Sequence, residues 1–147
     1  MRQMFLLVFA QFILLTSFAH AETLAEKKKW VLQEEALASE ISSFERKCGF
    51  KPTISFDKAS FAKDWPADQS IGSSCGPALD ASGSICEESA DGKAAITKNV
   101  RKVICKFSGK GKSGGEHSGT TLVWSGDPFV ATAISTKALK AKLESKF

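Results

Sequence analysis

Histidine is scarce in this 147-residue chain, and so are the residue patterns of common metal and redox sites. Only His20 and His117 occur, without any His-x-x-x-His pair, so a multi-histidine metal site is excluded. The four cysteines include no Cys-x-x-Cys pair, which argues against a zinc site and against thioredoxin-like redox chemistry. We therefore expect neither a bound metal nor a cofactor.

Long apolar runs are also missing, apart from one near the start of the chain. Residues 4–15 form a mostly apolar run of 12 residues behind Arg2, and Ala19-His20-Ala21 is an Ala-x-Ala cleavage signature. A membrane-spanning helix needs about 18 or more apolar residues, whereas a signal peptide needs fewer. Residues 1–21 are predicted to be a secretory signal peptide. The mature protein is expected to begin at Glu22 and to be soluble, secreted or periplasmic.

Charge of one sign is in only slight excess. Removing residues 1–21 leaves 126 residues, a normal size for one domain, with 19 basic and 16 acidic residues. The resulting charge of +3 is too small to indicate nucleic acid or a membrane surface as a partner. We expect a single domain over residues 22–147 that binds an envelope protein or an anionic surface component, and no nucleic acid.

Four cysteines remain in that domain: Cys48, Cys75, Cys86 and Cys105. In an exported protein they predict two disulfides. If residues 77–87 are helical, Cys75 and Cys86 lie about 16 Å apart along the axis, whereas a disulfide needs Cα atoms within about 7 Å. Two pairings remain open. We favour Cys48–Cys75 with Cys86–Cys105, because sequential elements tend to be neighbours in space.

Helical spacing predicts one long helix over residues 22–47. Its apolar residues recur on one face, and Gly49 followed by Pro52 marks its end. A second helix is predicted over residues 77–87, with Pro77 in its first turn. Shorter helical segments are predicted after three further capping residues, namely Asp57, Asp91 and Ser135.

Alternating apolar and polar residues predict four strands, over residues 53–57, 103–107, 121–124 and 129–134. The last three follow one another without an intervening helical pattern, which indicates an antiparallel meander. The predicted fold class is α+β: a long N-terminal helix and shorter helices packed on a three- or four-stranded antiparallel sheet, held by two disulfides.

The order of residues between positions 44 and 107 resembles that of uncharacterised small exported proteins of Gram-negative bacteria. The resemblance is carried by Phe44, Cys48-Gly49, Ile54-Ser-Phe-Asp57, Ser60-Phe61, Cys75, Leu79, Cys86 and Val103-Ile-Cys-Lys-Phe107. It implies an exported compartment and a disulfide-pinned fold, and it implies no activity.

The polar segment of residues 108–118 is predicted to be a solvated hairpin loop. Its candidate ligand-contact residues are Lys110, Lys112, Glu116 and His117. The triplet Gly111-Lys-Ser113 looks like the end of a P-loop, but Lys106 stands where that motif needs glycine, so nucleotide binding is excluded. The lysines of this segment, together with Lys102 and Lys106, can form a basic patch that attracts anions.

We expect a non-catalytic exported protein that binds a ligand or has a role in the cell envelope. The alternative is a small exported hydrolase, with His117 as general base and a nearby carboxylate such as Glu116 or Asp127. A carboxylate within hydrogen-bond reach of His117 in a concave pocket would favour the hydrolase.

Overall fold

The computed structural model describes residues 23–62, 64–66, 68–128, 130 and 132–147, which form one four-stranded sheet with five helices. The helices are α1 (Leu24–Glu35), α2 (Ala38–Cys48), α3 (Gly76–Glu88), α4 (Ala90–Asn99) and α5 (Thr132–Glu144). The strands are β1 (Thr53–Phe56), β2 (Lys102–Lys106), β3 (Gly114–Ser118) and β4 (Thr121–Ser125). The predicted signal peptide lies outside the described residues. None of the described helices is long and apolar enough to span a membrane.

The segment predicted as one helix over residues 22–47 is two helices, so the predicted extent was wrong. Between α1 and α2 the chain bends at Leu37, whose φ is −100° and whose backbone N–H donates to the Glu34 carbonyl (3.0 Å). The bend turns Leu37 fully into the core. Gln33 Oε1 accepts a hydrogen bond from the Gly72 N–H (3.0 Å) beside it. Tertiary packing therefore interrupts the helix, without a local glycine or proline.

The sheet is mixed, and the predicted antiparallel meander was wrong. Its strand order is β1-β2-β4-β3, with β1 and β4 parallel to β2 and β3 antiparallel to β4. The unpredicted strand β3 and the turn at Gly119 (φ +58°) reverse the chain one extra time, so β4 runs in the same direction as β2. The predicted strand over residues 129–134 was also wrong, because α5 begins at Thr132; residues 129 and 131 lie outside the described ones.

Several predicted helix ends are corrected or confirmed. Gly49 ends α2 with a left-handed φ of +82°, as its position predicts. Ser89 rather than Asp91 caps α4, accepting a hydrogen bond from the Gly92 N–H (2.9 Å). Asp57 makes no side-chain cap to the short 3₁₀ turn that follows it, and Ser135 lies inside α5 instead of at its start.

Helix α3 is the centre of the core, with nine of its thirteen residues buried. It packs against α2, α4 and α5. One face of the sheet, which we call the inner face, turns four side chains of β2 and β4 into this core. Each is at most 2% exposed: Val103, Cys105, Leu122 and Trp124. On the opposite, outer face, Ile104 and Val123 are only half-buried, and the alternation along each strand decides which residues reach this face.

The two disulfides are Cys48–Cys86 and Cys75–Cys105, so the favoured pairing was wrong. Helices α2 and α3 run in the same direction, because Gly76 at the start of α3 faces Glu40 near the start of α2, and Gly83 faces Lys47 near its end. This places Cys48 beside the second half of α3 instead of its start. Cys75, at the start of α3, meets β2. The exclusion of a Cys75–Cys86 bond agrees with the helix between them.

Candidate anion-binding site

The four candidate ligand-contact residues are divided by the sheet. Residues 114–118, predicted as loop, are strand β3, and its consecutive residues Glu116 and His117 face opposite sides of the sheet. Glu116 lies on the outer face, where it lines a cavity together with Lys112. Lys110 lies outside that lining. The structure therefore brings Lys112 and Glu116 together, and separates them from His117.

His117 is held by the backbone instead of by a carboxylate. Its Nε2 atom lies 2.8 Å from the Asn99 carbonyl oxygen, and its ring contacts Phe147 edge-on at 5.2 Å between centroids. Within the described chain the hydrogen bonds of the His117 side chain include no carboxylate. The hydrolase alternative needs a carboxylate hydrogen-bonded to His117, and the described hydrogen bond of this ring goes to a backbone carbonyl instead.

Ser113 stands at the centre of Gly111–Gly115, which matches the letters of the Gly-x-Ser-x-Gly motif of hydrolases. That motif places its serine in a sharp turn from a strand into a helix. Here Ser113 precedes a strand, and its Oγ lies 3.2 Å from the Ser135 Oγ. Sequence reasoning passed over this match, and the structural context removes its catalytic meaning.

Asp127, which follows β4 in the chain, holds the connection between β2 and β3 in place. Its buried carboxylate accepts a hydrogen bond from the backbone N–H of Gly111. Gly111 has a φ of +76°, a conformation that favours glycine. This contact gives Asp127 a structural role, because it holds the connection between β2 and β3.

Three neighbouring strands supply the floor of the outer-face cavity. Lys106 of β2, Ser125 of β4 and Gly114 of β3 lie in one row of the sheet register. A Cβ atom added at Gly114 would meet no atom of the described chain within 4 Å, so the row is open at that end. The cavity, which we call the lysine–serine pocket, has a volume of about 320 Å³. It is lined by Lys106, Ser108, Lys112, Ser113, Gly114, Gly115, Glu116, Val123, Ser125 and Lys142.

The charge of this lining favours an anion. The lining holds three lysines, Lys106, Lys112 and Lys142, and one acidic residue, Glu116. Lys142 reaches the pocket from α5, and its Nζ donates to the Gly115 carbonyl (2.6 Å). Because an ammonium group has three donors, Lys142 keeps donors for a ligand. Clustered positive charge in a concavity raises the local concentration of anions.

Ser125 provides a second and independent sign of a ligand. The residue is only 4% exposed, and its Oγ has no hydrogen-bond partner among the described residues. A buried hydroxyl without a partner costs about 1–3 kcal/mol. Thr136 Oγ1 is the other such atom within the described ranges, but Thr136 does not line the lysine–serine pocket. The Ser125 hydroxyl therefore keeps an unused hydrogen-bond donor within the described chain, in a residue that lines the pocket.

Sequence reasoning named Lys112, Glu116 and, in the basic patch, Lys106. It missed Ser125, which the inward–outward alternation of β4 turns to the outer face, and Lys142, which reaches the pocket from α5. The signal for Ser125 is its place directly after the buried Trp124, which turns it to the outer face.

A smaller cavity of about 140 Å³ opens where β4 ends, and its polar groups are occupied from within the protein. Trp124 Nε1 donates to the Ser74 carbonyl (2.8 Å), and Trp65 Nε1 donates to the Gln69 carbonyl (2.9 Å). The lysine–serine pocket is therefore the better candidate site.

Comparison of the chain with protein-family models, with curated proteins and with solved structures gives no match.

Proposed function

We propose that this is an exported, non-catalytic binding protein whose lysine–serine pocket takes an oxyanion, a phosphate or a carboxylate. The observation that carries the proposal is the Ser125 hydroxyl, buried without a partner from the described chain in a pocket with three lysines. An oxyanion has several acceptor atoms and can accept from the hydroxyl and from the ammonium groups together. Charge-assisted hydrogen bonds of this kind are roughly twice as strong as neutral ones.

Export is supported by the signal-peptide pattern of residues 1–21 and by the two disulfides, which are compatible with an oxidising compartment. An anionic component of the cell surface is the partner class that the pocket favours. The hydrogen bond of His117 to a backbone carbonyl, instead of to a carboxylate, supports a binding role over the hydrolase.

The proposal is tested by titrating the isotope-labelled mature protein with inorganic phosphate and following backbone amide shifts. We expect saturable shifts at Gly114, Glu116 and Ser125. Lys106→Ala should weaken phosphate binding about tenfold, the effect of one charge-assisted hydrogen bond. Lys102→Ala is the matched control, because Lys102 lies on the same strand and the same face but outside the pocket lining.

Equal losses for the two lysine variants would show diffuse charge attraction without a site. Shifts that do not saturate, or that appear only around His117, would contradict the proposal.

A further inference from the structure

A second cavity adjoins the lysine–serine pocket, and its character is different. This cavity, which we call the helix groove, runs between α5 and the start of β3 and has a volume of about 380 Å³. Its lining is mainly apolar: Trp124, Val130, Ile134, Ala138 and Leu139, with Ser113, Gly114, Gly115, Ser135 and Lys142. Ile134 is 65% exposed, so this side chain offers apolar surface to a ligand in the groove.

The two serines of the helix groove are already paired with each other. Ser113 Oγ and Ser135 Oγ lie 3.2 Å apart, within hydrogen-bond distance. The remaining polar group is the ammonium of Lys142, which points to the Gly115 carbonyl at the junction with the lysine–serine pocket. The helix groove is thus apolar along its length and charged only where it meets that pocket.

The two cavities meet at the edge of the sheet, where β3 is the outermost strand, with the helix groove on the inner side and the lysine–serine pocket on the outer side. They share four lining residues, Ser113, Gly114, Gly115 and Lys142. Around this edge, Gly114 and Gly115 carry no side chains that would obstruct a ligand, and the stem of Lys142 can lie along the apolar side while its ammonium serves the polar side. Their volumes together fall in the range of about 300–1,000 Å³ that is typical of small-molecule sites.

We propose that the two cavities form one site for a single-chain anionic amphiphile. Its phosphate or carboxylate head lies in the lysine–serine pocket, and its alkyl chain lies in the helix groove. Ile134, Ala138 and Lys142 follow one another at helical steps of four and span about 12 Å along α5, the length of an alkyl chain of about ten carbons. This inference rests on the proposed function, because the head group is the oxyanion proposed above.

The proposal is tested by calorimetry with decyl phosphate, kept below its micelle concentration, against inorganic phosphate. We expect decyl phosphate to bind about a hundredfold more tightly, since each buried methylene adds affinity. Decanoate tests the head group: binding tighter than that of decyl phosphate assigns a carboxylate, and weaker binding assigns a phosphate. Decanol, which has no charge, should bind at least about tenfold more weakly than either.

Ala138→Glu places a charge in the helix groove from an exposed position, so folding should be kept. It should abolish the advantage of decyl phosphate while leaving inorganic phosphate binding within about twofold, because Ala138 does not line the lysine–serine pocket. Ala141→Glu is the matched control: it makes the same substitution at an exposed position of α5 that lines neither cavity.

Three results would overturn the amphiphile site: equal affinities for decyl phosphate and inorganic phosphate, equal affinities for decanol and decyl phosphate, or equal effects of the two glutamate substitutions. In each case, retained binding of inorganic phosphate would leave the proposed function standing. Loss of both ligands in the unsubstituted protein would remove the proposed function as well.

Discussion

The inner and outer faces of the sheet are built from consecutive residues of the same strands, yet they differ in almost every property. On the inner face, Cys105 and Trp124 are nearly inaccessible and bonded within the core. Their next neighbours on the outer face, Lys106 and Ser125, line a charged pocket. The alternation of side chains along a strand therefore places core residues on one face and the lining of the proposed lysine–serine pocket on the other. Substitutions on the two faces should separate these properties.

The largest effect is expected for Trp124→Ala on the inner face. Removing this side chain leaves a cavity and frees the Ser74 carbonyl from its hydrogen bond, so the free energy of unfolding should fall by about 3–5 kcal/mol. Val123→Ala, at the half-buried neighbour on the outer face, should cost about 1 kcal/mol. Urea denaturation measures both, and similar losses would contradict the division between the faces.

Two adjacent glycines of β3 give the sharpest comparison. A Cβ at Gly115 would clash with Leu139 Cδ1, whereas a Cβ at Gly114 meets open space within the described chain. Gly115→Ala should lower the free energy of unfolding by about 1–3 kcal/mol, the usual cost of overpacking a core. Gly114→Ala should change it by less than about 0.5 kcal/mol. Chemical denaturation measures both values. A larger loss for Gly114→Ala than for Gly115→Ala would contradict the packing of α5 on the inner face.

A smaller effect is expected at Asp80 of α3, a half-buried carboxyl group whose ionised form is disfavoured. Burial raises the pKa of this carboxyl above its usual value of 3.8, with a contribution from nearby Glu40 that Lys47 partly offsets. The ionised form is therefore destabilising in the folded state above the raised pKa. This penalty disappears as the pH falls through the raised pKa towards the ordinary one.

Asp80→Asn should accordingly stabilise the protein at pH 7, by a few tenths of a kcal/mol because solvent screens a half-buried group. The gain should vanish near pH 3, where both proteins are neutral at this position. Denaturation curves across this pH range measure it, with the exposed Asp68→Asn as control. Phosphate binding should not change, because Asp80 lies outside the lining of the lysine–serine pocket. A change in phosphate binding would mean that α3 and the pocket are energetically coupled.

The sequence predicts the elements with strong local signals and fails where distant packing decides. Gly49 and Pro77 mark helix ends through their own backbone preferences, and the strands around Cys105 and Val123 show clear alternation. The bend at Leu37 has no local signal, because it depends on the segment at Gly72. Strand β3 begins with two glycines and is formed by pairing with β4, so its sequence alone reads as a loop.

For the site residues too, prediction succeeds where the signal is local and fails where distant packing decides. Lys112 and Glu116 could be named from a polar, glycine-rich segment, which is an ordinary place for contact residues. Ser125 could not be placed beside Lys106 without the register of β2 and β4, and Lys142 depends on how α5 packs on β3. The disulfide pairing failed for a related reason, since the direction of α3 relative to α2 is a tertiary property.

The most direct test of the account is the free energy of unfolding of the parent protein and of Ser125→Ala, each measured with and without inorganic phosphate. Without phosphate, Ser125→Ala should be as stable as the parent or up to about 1 kcal/mol more stable, because it removes a buried hydroxyl that has no partner in the described chain. Phosphate at ten times its Kd should stabilise the parent by about 1.4 kcal/mol and should stabilise the variant much less. A variant that is less stable by more than about 1 kcal/mol yet equally stabilised by phosphate would contradict the assignment of Ser125 to ligand binding.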